Sequence, residues 1–288
     1  MTPRNRKISG VDGLSLNLVD WGGEGSPLLL LHGFGHGARL WDAFVPDLLS
    51  RYHVLALDNR GHGLSDIDPE FRYHNAAIAR DVEAVADQLG LEDAVVVGHS
   101  QGGHAAIRLA GRHPGRVKKL VLAEVGPDGS TRSGTPETVR LLQPAYTSEG
   151  EYASILVSLY PEFPTDAARS IARNFLKARD GGGFSPRLDR RFLSGRAKKK
   201  AERSTGFDRV AWAKKEEGRF WHYISRIGSP TLVLRGGNSP MLPDDSLRRI
   251  RDELRGNASV QTLSDAGHSL MLDKPSGFHE ALVNYLLD

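Results

Sequence analysis

Val95-Val96-Val97-Gly98-His99-Ser100-Gln101-Gly102-Gly103-His104-Ala105-Ala106 is the stretch that decides how this chain is read. Three β-branched residues run into Gly-x-Ser-x-Gly, and a helix-favouring segment follows. A buried strand, a tight turn with serine at its tip and a helix form the setting that a nucleophile elbow requires. The turn strains the backbone at Ser100, so Gly98 and Gly102 are needed where a side chain would clash. It lifts the hydroxyl out of the sheet and puts the next amides at a helix N-terminus, where they can donate to an oxyanion. The competing reading is an ordinary strand-to-helix turn; the match on both sides of the motif favours the elbow.

Working outward, the 288 residues exceed one average domain, yet α/β folds of this size commonly share one core. Hydrophobic residues at 39% and charged residues at 25% describe a globular chain. The sequence has no cysteine, which excludes disulfides and thiolate metal sites. The basic start, Met1 to Lys7, has no apolar run behind it and is not a secretory signal. No segment approaches a membrane span, so the expectation is a soluble cytoplasmic protein that engages no membrane. Net charge is +3, with a local basic run from Arg187 to Arg203. Without an aromatic-rich nucleic-acid module beside it, that run reads as a solvated helical face, and no nucleic-acid partner is expected.

Upstream of the elbow, residues 6–21 read as two strands. Leu28-Leu29-Leu30-Leu31 is a short buried strand that runs into His32-Gly33-Phe34-Gly35-His36-Gly37. A glycine-rich loop at the C-terminal end of a strand lies on the ligand side of an open α/β sheet. It can turn an amide toward a reacting carbonyl; that donor is assigned to Phe34, and the second to Gln101. A phosphate loop is excluded because the Gly-Lys-Ser/Thr ending is missing. Residues 40–50 read as a helix interrupted by Pro46. Tyr52–Asp58 is a strand and residues 75–90 an amphipathic helix. The elbow helix spans about 101–112, and Val117–Glu124 is another strand.

The strand–helix alternation then breaks. Residues 127–227 read as helical pieces with no clear buried strand, an insertion between core segments 1–126 and 228–288. The alternation resumes with a strand at 230–236, a helix at 244–254, a strand at 259–263 and a closing helix at 278–287.

On four motifs in this order the chain resembles the α/β-hydrolase fold family. They are His32-Gly33-Phe34-Gly35, Asp58-Asn59-Arg60-Gly61-His62-Gly63-Leu64-Ser65, Gly98-His99-Ser100-Gln101-Gly102 and Gly267-His268, each following a strand. The resemblance implies an eight-stranded, mostly parallel sheet flanked by helices. It places residues 127–227 as a lid inserted after the sixth strand, and the nucleophile, acid and histidine in that chain order. Ser100 is then the nucleophile and His268, just past the last strand, its base. His32, His36 and His62 are candidates for lining the pocket, and His99 and His104 for packing. Arg60 reads as a brace of its loop.

The acid departs from the commonest pattern. The loop after Leu232–Arg235 reads Gly236-Gly237-Asn238-Ser239-Pro240-Met241-Leu242-Pro243, with no carboxylate before Asp244. A neutral Asn238 or Ser239 could orient His268 but could not stabilise an imidazolium; loss of that charge in a serine-protease triad costs about 10⁴ in kcat. Glu124 ends the neighbouring strand at the same sheet edge. Some branches of the family, including certain lactonases, haloalkane dehalogenases and hydrolases of ring-degradation intermediates, carry their acid there. Glu124 is therefore the expected acid, with Asp128, Asp244 and Asp245 as alternatives. Trp41, Trp212, Trp221 and Phe34 are further pocket candidates, each equally suited to a core.

The expectation is a hydrolase that needs no cofactor and no metal. Its substrate would be a small organic ester, lactone, amide or activated C–C bond, and the protein a monomer or homodimer. Two alternatives share the fold: a cofactor-independent dioxygenase of N-heteroaromatic rings, and a small-ligand receptor that keeps the triad.

Overall fold

The computed structural model describes residues 2–127, 135–193 and 209–288. Eight strands form one sheet: β1 Arg4–Ser9, β2 Ser15–Gly22, β3 Ser26–Leu31, β4 Tyr52–Asp58, β5 Ala94–His99, β6 Val117–Ala123, β9 Thr231–Gly236 and β10 Ala258–Leu263. Their order is β1-β2-β4-β3-β5-β6-β9-β10. β1 and β2 pair antiparallel with each other, as do β2 and β4; every later pairing is parallel.

Parallel strands with helices on both faces must be apolar on both faces. β3 shows how this works. Leu28 and Leu30 enter one buried cluster, Leu29 and Leu31 the other. Val95 and Val97 against Val96, and Val121 and Ala123 against Leu120 and Leu122, divide the same way, as the two-residue period of a strand requires. One cluster also holds helices α1 (Asn75–Gln88) and α2 (Gln101–Arg112). The other holds the closing helix α10 (Pro275–Leu287) and the insertion helices α4 (Glu149–Leu159) and α5 (Thr165–Phe175).

Register brings the strand ends together. Leu31 pairs with Gly98, His99 with Ala123, and Ala123 with Leu234. The loops that follow β3, β5, β6 and β9 therefore leave the sheet at one edge, the place where open α/β sheets hold their ligands.

Two expectations are corrected. The helix read over 40–50 is two 3-10 turns, Ala38–Ala43 and Pro46–Leu48, because Pro46 has no amide to continue a helix. The insertion holds a small antiparallel hairpin, β7 Leu176–Ala178 with β8 Phe184–Pro186, whose three-residue strands are too short to show a period. Within the stretch 127–227, helix α7, Arg209–Ile224, packs on the α2 face of the sheet, where Phe220, Trp221 and Ile224 join Ile107 and Ile250. The other described insertion helices are α3 Pro136–Leu141 and α6 Arg190–Leu193. Two more flank the last strands, α8 Asp244–Glu253 and α9 Leu270–Asp273. Among the described residues no helix is long and apolar enough to cross a membrane. Asp128 and the end of the basic run, including Lys198-Lys199-Lys200, lie outside the described residues.

Candidate active site

Ser100 stands between β5 and α2 with φ +51° and ψ −115°, a strained conformation that the surrounding glycines permit. A Cβ added at Gly102 would come 2.4 Å from the Leu31 carbonyl oxygen, and one at Gly98 2.6 Å from the Gly103 Cα. Neither backbone can readily retreat, because Leu31 is held in β3 by its pairing with β5 and Gly103 lies in the first turn of α2.

The Ser100 Oγ lies 3.0 Å from His268 Nε2. His268 Nδ1 lies 3.2 Å from Glu124 Oε2. With Nδ1–H donated to Glu124, Nε2 keeps its lone pair for the serine proton. Glu124 is buried at the end of β6, also with positive φ, +54°. Two donors besides His268 hold its carboxylate: the Gly236 amide at 2.7 Å on Oε1 and the Ser239 hydroxyl at 2.5 Å on Oε2. A buried carboxylate needs such partners to stay charged. The structure thus brings together Ser100, His268 and Glu124 from three loops at one sheet edge. Asp244 and Asp245 are exposed and pair with Arg235 and Arg248. Ser239, considered as a neutral orienter of His268, donates to Glu124 instead.

Phe34 and Gln101 flank this chain of hydrogen bonds in sequence. The Gln101 amide is the first of α2, so no carbonyl lies one turn back to accept it. The Phe34 amide donates to no acceptor among the described residues. The peptides on either side of Phe34 are pinned by two buried histidines. His32 Nδ1–H donates to the Gly33 carbonyl at 2.8 Å, and the Gly35 amide donates to His62 Nε2 at 3.2 Å. His32 accepts the Asn59 amide on Nε2, and His62 donates Nδ1–H to the Arg60 carbonyl. Each ring is therefore a neutral tautomer with both nitrogens used. Burial holds the His32 imidazole well below its ordinary value and pushes His62 down to about 4.

His99 is a functional candidate that sequence reasoning assigned only to packing. Its Nε2–H donates to the His268 carbonyl at 2.9 Å, and its ring lies 4.9 Å from the His268 ring. It ties the elbow strand to the loop that carries the base. Burial, then the neighbouring His268 and His36, keep it neutral. The only sequence signal was its place beside Ser100. Ser239 and Gly236 gave a comparable signal, being polar or small residues in the loop that lacks its usual carboxylate.

His36 is buried, with its ring 6.0 Å from that of His99; burial and then His268 push it down to about 4. It faces a small cavity of about 50 Å³ behind the Phe34 loop, shared with Tyr152, Ile171 and Phe175. The two tryptophans proposed for the pocket are elsewhere. Trp41 has no exposed surface and packs on Phe278 in the core. Trp221 lies on α7 against Phe220, with the Arg249 guanidinium 3.9 Å above its ring. Both were drawn to apolar contact, the stronger demand for a large ring. Trp212 is half-buried on the same helix. Phe34 makes edge contacts with Phe192 of α6 and with His62. Arg60 braces its loop: it is fully buried, with a two-point bond to Asp81 at 2.6 and 2.8 Å and another to Asp68 at 3.0 Å.

With this geometry in view, a family model described as the alpha/beta hydrolase fold matches residues 26–275. The chain belongs to that family. It is 27% identical to a mouse protein named sn-1-specific diacylglycerol lipase ABHD11, over 95% of this chain and 85% of that one. It is 29% identical to a non-heme chloroperoxidase of Streptomyces lividans, over 97% of this chain and 98% of the relative. The crystal structure of E-2-(acetamidomethylene)succinate hydrolase superimposes with a TM-score of 0.75 at 23% identity, covering 99% of this chain and 100% of that one. Family and lipase relative make the chain a hydrolase of the general α/β type.

Proposed function

We propose that the protein is a cofactor-free serine hydrolase of a small organic ester, lactone, amide or activated C–C bond, with Ser100, His268 and Glu124 as its triad. The observation that carries this reading is the unbroken run of hydrogen bonds from Ser100 Oγ to His268 at 3.0 Å and from His268 to Glu124 at 3.2 Å. A serine hydroxyl is almost never ionised at neutral pH and needs a base at this range.

His268 Nε2 takes the hydroxyl proton as Oγ bonds to the carbonyl carbon. The electron pair of the C=O moves to oxygen, and the Phe34 and Gln101 amides receive that oxyanion. Glu124 stabilises the imidazolium. The tetrahedral species collapses, the bond to the leaving group breaks, and His268 returns its proton to that group. Water then attacks the acyl-serine by the same steps in reverse and regenerates Ser100. The named relatives act in different reactions, so the substrate itself is not carried over from them.

The reading is tested by a screen of p-nitrophenyl esters, lactones and ring-opened dicarbonyls, with oxygen consumption followed in parallel and a serine-directed organophosphonate as probe. Turnover without oxygen uptake, and labelling at Ser100, are expected. Oxygen uptake on N-heteroaromatic rings without ester cleavage would assign the dioxygenase alternative. Ligand binding with negligible turnover would assign a receptor. An unlabelled Ser100 under conditions that label a control esterase overturns the nucleophile.

A further inference from the structure

The hairpin of β7 and β8 carries polar groups that hydrolysis does not use. In its antiparallel register Lys177 stands opposite Ser185. Directly opposed residues send their side chains to the same face. The Arg179 amide bonds the Gly183 carbonyl at 3.0 Å, which carries the pairing one step further. Arg179 is two residues from Lys177 and so leaves that face too. Arg190, at the start of α6, comes up beside them. Together with Ala178, Asp180 and Gly181 these residues line an open cleft of about 430 Å³.

Two independent observations mark the cleft as a site. The first is charge. Lys177, Arg179 and Arg190 form no ion pair and no side-chain hydrogen bond among the described residues, whereas Arg191, next in the chain, is taken up by Asp189. Asp180 at the rim leaves the cleft net positive. The second is the Ser185 hydroxyl. Ser185 is 2% exposed, and its Oγ has no hydrogen-bond partner. A buried hydroxyl without a partner is costly and requires an explanation. A donor at the floor and cations at the wall suit an oxygen-rich anion of two charges.

We propose that this cleft of the insertion is an anion-binding site for a phosphate group, built from residues other than those of the triad. Lys177, Arg179 and Arg190 neutralise the group, and Ser185 donates to one of its oxygens. The basic segment beginning at Arg187, read from sequence as a solvated face, contributes Arg190 to it. The phosphate belongs either to a soluble compound or to a lipid headgroup.

The test uses the full chain. Thermal unfolding is followed while sodium phosphate is titrated against sodium chloride at equal ionic strength, and flotation is measured with vesicles of phosphatidylcholine alone or with phosphatidylglycerol. A saturable rise in Tm with phosphate assigns a soluble ligand. Retention on the phosphatidylglycerol vesicles alone assigns a headgroup. In either case Lys177→Ala/Arg179→Ala weakens binding about tenfold or more, as loss of a charge-assisted bond does. Ser185→Ala weakens it less, and Lys118→Ala/Arg248→Ala leaves it unchanged. If the double alanine variant does not fold by circular dichroism, Lys177→Gln/Arg179→Gln replaces it. A phosphate response equal to that of chloride together with no vesicle retention overturns the proposal. So does a response of undiminished affinity in the hairpin variant.

Discussion

In the proposed mechanism Glu124 is the residue on which the chemistry turns. Its carboxylate is buried and points at His268, with the Gly236 amide and Ser239 hydroxyl completing its shell. Glu124→Gln keeps the shape and removes the charge that offsets the imidazolium. The expected result is a fall in kcat of about 10³–10⁴ with an unchanged circular dichroism spectrum. Near-normal turnover moves the acid elsewhere. Ser239→Ala removes one charge-assisted hydrogen bond and should lower kcat about tenfold with KM held. His99→Phe keeps the ring and deletes the donor to the His268 carbonyl. It should cost about 1–3 kcal/mol in urea unfolding and reduce kcat with KM held. Loss of stability at full kcat would leave His99 a packing residue only. Glu124 was reached in the sequence through the family resemblance, because the usual acid position is empty and some branches carry their acid at this strand's end. Ser239 as its partner was not, since the two residues are 115 positions apart and nothing local joins them.

At the scale of elements, the elbow was the most legible part of the chain. A β-branched run, two glycines and a small-residue helix signal are all local, and local preferences agree there with the fold. Gly102 is set by contact with the end of β3, so Gly102→Ala should destabilise the chain by about 1–3 kcal/mol, the usual cost of overpacking. It should also shift soluble yield downward; a variant with wild-type urea midpoint would remove the clash from the account. The brace at Arg60 belongs to the same scale. It is a fully buried cation among Asp12, Asp68 and Asp81. Arg60→Met leaves the buried Asp81 carboxylate without a cation, while Asp68 keeps Arg72 and Asp12 keeps Arg72 and Arg80, and should cost about 3–5 kcal/mol in chemical unfolding. Less legible were the 3-10 turns before β4 and the β7–β8 hairpin. The first are interrupted by Pro46, and the second is too short for any period to show.

Across the whole molecule, buried histidines set the response to acid. His32, His36, His62, His99 and His104 are all pushed below the ordinary value of 6.5, chiefly by burial, with His36, His62 and His104 at about 4. Between pH 6.5 and 4 the unfolded chain takes up these protons and the folded chain does not. Stability therefore falls as pH falls through that window. Asp273, raised by burial to about 6, and Asp42 and Asp58, raised likewise, act in the opposite sense. Five histidines outweigh three carboxyls, so calorimetry should show Tm dropping from pH 7 to pH 4.5, and His62→Gln should flatten the slope. A Tm that holds or rises on acidification overturns this account.

The order of motifs along the chain was enough to point to the fold family and, through the resemblance to it, to Ser100, His268 and Glu124 as candidates for one site. Each rests on local features: a strand that ends, a turn that needs glycine, a loop without a carboxylate. Only the tertiary structure decided which residues face one another. It sent Trp41 and Trp221 to the core, gave Ser239 to Glu124 and His99 to the His268 carbonyl, and put Lys177, Arg179 and Arg190 around Ser185. Those pairings depend on strand register and helix packing between distant segments. The physical reason is that side-chain partners are chosen by the folded surface each residue meets, and no stretch of sequence contains that surface.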